Sequence, residues 1–214
     1  MGKCIIRPMS SNIYRGPRTL GLRLWHWSNS LVIFALILTV FLRDYLIGVR
    51  EHAKLLVDKT TAAGIAVPVD LARDIAHSYL DRLWDWHVDL GLVLLALLLA
   101  RVVVEFVAPT GSGLYAKIKG AFAKKGDKDA QKFAMVKLSH VGFYALLTVT
   151  VGTGLSAAYG QAWGMPDGLR HVLRDIHEWS MYVIIAFIAA HIIGVVSAEK
   201  TTDPGLVSDM INGG

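Results

Sequence analysis

Cysteine is almost missing: Cys4 is the only one among 214 residues. A single thiol closes no internal disulfide, and without a CxxCH motif there is no covalent c-type haem attachment. The start MGKCII fails the myristoylation pattern, because residue 6 is Ile. Charge is scarce too, at 18% of the chain, against 54% hydrophobic residues and a mean hydropathy of +0.46. That balance excludes an ordinary soluble domain and points to a membrane protein. No small-residue cleavage site follows a short apolar core, so the first apolar run does not read as a removable signal peptide. No internal repeat is evident.

What the chain does have is four apolar runs long enough to cross the hydrocarbon as helices, which takes about 20 residues each. They are LWHWSNSLVIFALILTVFL (24–42), HVDLGLVLLALLLARVVVEFVA (87–108), SHVGFYALLTVTVGTGLSAAY (139–159) and HEWSMYVIIAFIAAHIIGVVSA (177–198). The expected fold is all-α, a single membrane domain over 1–214 built as a transmembrane four-helix bundle.

Lysine and arginine set the expected orientation. Lys3, Arg7, Arg15, Arg18 and Arg23 precede the first span with no acidic residue among them. Seven lysines stand between spans two and three, against Asp127 and Asp129. The stretch from Arg43 to Trp86 holds six basic and seven acidic residues, and the connection QAWGMPDGLRHVLRDI is neutral. The positive-inside rule puts both termini and the lysine-rich loop in the cytoplasm, and the other two loops outside. The net charge of +5 therefore reports topology, with no nucleic-acid partner implied.

The first outer loop contains VPVDLARDIAHSYLDRLWDW (67–86), where Leu71, Ile75, Leu80 and Leu83 recur at helical intervals between charges. This predicts an amphipathic interfacial helix along the outer surface, leading into span two. Trp84 and Trp86 fall in the outer aromatic belt, and Trp25 and Trp27 in the inner one. The loop either caps the bundle or offers a docking face to an extracytoplasmic partner. The loop GSGLYAKIKGAFAKKGDKDAQKF reads as solvated, within reach of anionic headgroups.

Eight histidines are present, and five lie in or at the ends of spans: His26, His87, His140, His177 and His191. His52, His77 and His171 fall in loops. One intramembrane histidine is readily explained by a hydrogen bond to a neighbouring helix; five are a functional-site hypothesis. Sorting by depth gives an outer layer of His87 with His177, and an inner layer of His26, His140 and His191. On span four the two histidines are fourteen residues apart, about 21 Å along the axis and within roughly 40° of one helix face. Such layers suit axial ligands to two stacked haems held between helices. The same interval leads from His87 to Arg101, where a guanidinium would reach an inner propionate, and from His140 to Gly154. Gly154, and Gly91 one turn from His87, would leave room for the outer macrocycle.

Zinc fits poorly, since its ligands cluster at short spacing with Cys, Asp or Glu. A proton-coupled transporter could use Asp89 and Glu105 as relays, but four spans without a repeat make a thin one. Two bis-histidine haem b groups account for the pairing and the separation together, and filled axial positions favour electron transfer.

RLWHWSN at span one, WHVDLGLVLLALLLAR at span two and the His177/His191 pair resemble the bacterial four-helix di-haem cytochrome b superfamily. That group includes the cytochrome b subunits of nickel–iron hydrogenases, the gamma subunits of membrane formate dehydrogenases and the cytochrome b-561 type superoxide oxidases. The resemblance covers roughly residues 15–200 and implies haem ligation by His26 with His191, and by His87 with His177. His140 is then the spare inner histidine, available to a quinone pocket or a propionate. The Thr-Gly often found late in span one is absent, the chain reading LTVFLRD.

The expected function is electron transfer between an extracytoplasmic redox protein or dehydrogenase subunit and the quinone pool, in the bacterial inner membrane. Arg23, Trp25, Asn29 and His140 are candidates around the inner haem or a bound quinone. The alternative is a stand-alone superoxide:quinone oxidoreductase, which needs a basic outer funnel. Arg82, Arg170 and Arg174 are available for that, but the outer loops as a whole are not basic.

Overall fold

The protein is described by a computed structural model over residues 18–46, 48–107, 113–124 and 126–213. Cys4, the cations Lys3, Arg7 and Arg15, Ala108 at the expected end of span two, and Lys125 lie outside the described residues. Seven α-helices follow in order: α1 (Leu20–Phe41), α2 (Val49–Ala62), α3 (Val69–Val107), α4 (Leu114–Ala123), α5 (Lys128–Tyr159), α6 (Asp167–Thr201) and α7 (Leu206–Asn212). A π-helical turn, Leu42–Leu46, extends α1. No strand occurs among the described residues.

Four segments are long and apolar enough to cross a membrane: Leu20–Asp44, Val69–Val107, Lys128–Tyr159 and Asp167–Thr201. Their outward faces are as apolar as their inward ones. Leu31 is 69% exposed, Phe34 63% and Phe106 86%. A helix hydrophobic all round needs lipid on its outer side. The expected four-helix membrane bundle is therefore present.

The structure extends the expected spans. α3 has 39 residues, since no proline interrupts 69–107 and Gly91 alone weakens it. The amphipathic segment 69–86 is thus continuous with span two. It pairs with α2, a helix that the near-neutral loop had concealed, around Ala53, Ala72 and Ala76 with Leu56 and Val57 alongside. Alanines let the two backbones approach closely. Gly64, at φ 76°, ends α2 in the left-handed conformation that a side chain disfavours, and Ile65 N–H returns to Thr60 O at 2.8 Å. α6 begins at Asp167, so most of the third connection is helix and the true loop is short. In the lysine-rich loop, α4 packs on α5 through Ala121, Ala130 and Ala134. Asp127 caps α5 by accepting from the backbone N–H of Asp129 and Ala130, both at 3.0 Å.

The two ends of the bundle differ. At the hairpin end, the α2–α3 pair projects past His87. At the termini end, α7 folds back on α1: Trp27 Nε1 donates to Met210 O at 3.0 Å, and the Arg23 guanidinium donates to Ile211 O. Glu199 holds α7 in place by accepting from the N–H of Gly205 (2.7 Å) and Val207 (2.9 Å).

Candidate functional site: two tiers of histidines

A single apolar layer divides the bundle. Ile33 from α1, Leu94 from α3, Leu147 and Val151 from α5, and Ile184 from α6 form it. Ile184 lies midway between His177 and His191 in sequence, so this layer separates two histidine tiers. His87 and His177 are neighbours at one end of the bundle, and His26, His140 and His191 at the other.

At the hairpin end the rings of His87 and His177 have centroids 6.2 Å apart, with planes at 90°. At the termini end His26 and His191 are 6.4 Å apart at 49°, and His140 and His191 are also 6.4 Å apart, at 86°. Ring separation alone does not choose between the last two pairs. Helix packing distinguishes them. α5 and α6 share the most extensive interface in the molecule, whereas α6 has no comparable interface with α1 or α3. His26–His191 and His87–His177 both face each other across that looser seam; His140–His191 bridges two helices already in contact.

Hydrogen bonds orient the hairpin-end imidazoles. The Thr39 hydroxyl donates to Leu36 O at 2.7 Å and accepts from His87 Nδ1 at 2.8 Å. Trp84 stacks on the same ring, centroids 5.0 Å apart and 8° from parallel, with the Arg43 guanidinium 4.7 Å above the indole. His177 Nδ1 donates to Thr150 O at 2.9 Å. Both rings therefore carry their proton on Nδ1 and leave Nε2 a lone pair. Sequence reading missed Thr39 and Thr150. No local pattern marks a threonine whose partner lies on another helix.

Gly154 is expected to make room for a macrocycle. The room it leaves is at the His177 ring: a Cβ there would come 2.8 Å from His177 Cε1. Its missing side chain lets the imidazole reach the Thr150 carbonyl one turn earlier. Gly154→Ala is therefore expected to displace His177 and lower cofactor retention at this end. Gly152→Ala, where a Cβ meets nothing within 4 Å, leaves retention unchanged. The measurement is cofactor per protein after purification. Gly91 likewise has nothing within 4 Å of its Cβ position.

The termini-end tier is organised differently. His26 Nδ1 and, one turn on, Asn29 Oδ1 are buried without a hydrogen-bond partner among the described residues. Leaving such atoms unpaired costs about 1–3 kcal/mol each, so they are ready acceptors or donors for a bound group. His140 Nδ1 hydrogen-bonds Val136 O at 2.5 Å, and Phe187 stacks on His191 at 6.3 Å and 6°. Arg101 lies at this end, beside Trp25 and Tyr144. Its guanidinium lies 6.0 Å from the Trp25 ring and 5.7 Å from Tyr144, donates to Tyr144 OH at 3.3 Å and pairs with Glu105 at 3.4 Å. Glu105 also accepts from the Leu114 N–H and so anchors α4. Trp25 Nε1 donates to Leu97 O at 2.9 Å, tying α1 to α3 next to His26.

The donor set suits iron porphyrin better than a clustered metal site. No group of three or more His, Cys, Asp or Glu converges among the described residues. Two imidazoles on opposite sides of one metal, each at about 2 Å, keep their centroids about 6.3 Å apart. The observed 6.2 and 6.4 Å agree with that.

An apolar four-helix membrane bundle with paired imidazoles facing across its interior belongs to the class of membrane b-type cytochromes. The profile of prokaryotic cytochrome b561 matches residues 18–213. The chain belongs to that family: it is a multi-pass membrane cytochrome that binds haem b and transfers electrons. Neither the curated proteins nor the solved structures gave a match.

Proposed function

We propose that the chain carries two haem b groups and moves electrons between an extracytoplasmic redox protein or dehydrogenase subunit and the quinone pool of a bacterial inner membrane. His87 and His177 hold the outer haem, and His26 and His191 the inner one. The hairpin end faces outward and both termini are cytoplasmic, in keeping with the lysine-rich loop and the positive-inside rule. The observation that carries the reading is the pair of facing imidazoles at each end, 6.2 and 6.4 Å between centroids, on either side of an apolar layer.

Haem b held between two of these imidazoles would supply one-electron chemistry. The chain's own residues do the rest. Thr39 and the Thr150 carbonyl fix the tautomers of His87 and His177. Gly154 admits the His177 ring, and Gly91 leaves open space beside His87. Arg101, held by Glu105 and Tyr144, borders the inner tier, where its remaining N–H donors would meet a propionate. His140, Asn29, Trp25 and Arg23 border the inner tier; Trp25 Nε1 and the Arg23 guanidinium already donate to backbone carbonyls, which leaves Asn29 Oδ1 and the His140 Nε2 edge to a quinone head.

Of the three arginines a superoxide funnel would use, Arg82 and Arg174 are exposed and Arg170 is engaged. Arg170 is paired with Asp167 at 3.0 Å, which reduces the charge available to attract an anion. Of the two carboxylates a transporter relay would use, Asp89 and Glu105, the second is paired with Arg101.

The quinone half of the proposal is tested by adding a quinol to the oxidised, purified protein. Reduction of the haem absorbance is expected. Haem that stays oxidised with quinol yet reduces with dithionite contradicts it. Thr39→Val tests the outer ligand set. Without an acceptor for its Nδ1–H, His87 becomes a poorer electron donor to ferric iron, so the outer midpoint potential rises while the haem is retained; Thr39→Ser restores it. An unchanged potential in a redox titration of Thr39→Val contradicts the role given to Thr39.

A further inference from the structure

The hairpin end carries a surface with no role in holding cofactor. The 39 residues of α3 span about 58 Å, nearly twice the roughly 30 Å of hydrocarbon. With His87 near the outer boundary, residues 69–86 stand clear of the bilayer as one arm of the hairpin. This arm has three stripes. Ala72, Ala76 and Leu80 are buried. Next to them Leu71, Ile75, Tyr79 and Trp86 lie within about 80° of one another and are 49%, 37%, 79% and 55% exposed. Beside that row Asp70, Asp74, Asp81 and Asp85, all exposed, fall within about 60°; Asp70 is ion-paired with Arg73 at 3.9 Å, and the other three carry the acidic edge. Of the arm's two arginines, Arg73 lines a shallow groove with Arg50 and Lys54 on the α2 side, and Arg82, exposed, falls within the arc of the apolar row itself.

A helix face that needs only solubility intersperses its charges. Here an uncovered row of apolar side chains, including a largely exposed tyrosine and broken once by Arg82, is bordered by four carboxylates. Scattered exposed apolar residues are ordinary, but a contiguous row with a polar rim marks an interaction surface. The row ends at Trp86, next to the Trp84 that stacks on His87. A protein seated there would lie within about one helical turn of that histidine.

We propose that this stripe docks a soluble redox protein whose electron-exchange face is an apolar patch rimmed by lysines. The inference rests on His87 and His177 holding the outer haem and on the hairpin facing outward, and it names the kind of partner. Carboxylates steer a basic partner and set its register, while the apolar row supplies a desolvated contact. A second copy of this chain would bring an acidic row against its own kind, and an acidic partner would be repelled.

The test mixes the dithionite-reduced, whole protein in stopped flow with a ferric, lysine-rimmed c-type cytochrome, which takes one electron per molecule. A parallel run uses the same cytochrome with its lysines succinylated. At low salt the lysine-rimmed probe is expected to react about tenfold faster, an advantage lost at high salt. Asp74→Lys with Asp81→Lys lowers its rate about tenfold and raises that of the succinylated probe. Tyr79→Ser slows the lysine-rimmed probe without changing its salt dependence. Uncharged benzoquinone oxidises wild type and variants equally. Equal rates for the two cytochromes, or charge-reversed variants that react as wild type does while retaining both haems, overturn the docking surface. Loss of outer haem absorbance in the wild-type protein overturns the haem assignment instead, so the two failures are read apart in the spectrum.

Discussion

Replacing His87 or His177 by alanine is expected to remove one haem and leave the other. The two residues belong to one tier, their rings 6.2 Å apart, with no other histidine at that end of the bundle within the membrane. Neither variant has a substitute ligand. The remaining haem is insulated from the loss by the layer of Ile33, Leu94, Leu147, Val151 and Ile184. The haem-to-protein ratio should fall by about half, and the surviving signal should keep its low-spin, six-coordinate character. Thermal stability should fall as well, because a group that binds only the folded state stabilises it by mass action. Loss of both haems from either variant, or of neither, would contradict the two-tier arrangement.

The second large effect distinguishes His26 from His140. His26→Ala is expected to abolish the inner haem, whereas His140→Ala keeps both. The ring separations do not separate them, at 6.4 Å to His191 in each case. The seam does. His140 stands on α5, which already packs along α6, while His26 approaches His191 from α1, where no comparable packing intervenes. A flat cofactor needs a gap between helices, and only the His26 side offers one. Haem content of the two variants, measured side by side, decides the matter. Loss on changing His140 with retention on changing His26 would reassign the inner ligand.

Much of this was legible in the chain because a membrane helix has a fixed rise and a fixed angular step. The fourteen-residue interval on span four and the basic residues flanking the spans were enough to sort the histidines into tiers. Arg101 was singled out by the same interval, and its guanidinium lies between Trp25, Tyr144 and Glu105. What could not be read depends on contacts between helices. Thr39 is one threonine among several until α1 packs on α3 and sets its hydroxyl against His87. Gly154 was expected to make room for a macrocycle, whereas its neighbour is the His177 ring, a fact fixed by how closely α5 and α6 approach. The helix α2 was hidden because its charged residues outnumber the few apolar ones that it buries, Ala53 foremost. The second half of the outer loop showed its helical period but not its continuity with span two. That continuity follows from the lack of any helix-breaking proline over 39 residues.

The central claim is that each tier binds one haem between two imidazoles. A reduced-minus-oxidised difference spectrum of the purified protein, combined with a haem-to-protein ratio, tests it most directly. Two b-type haems per chain, both low-spin, is the predicted result. A chain purified intact with a single haem, or with none, would contradict it.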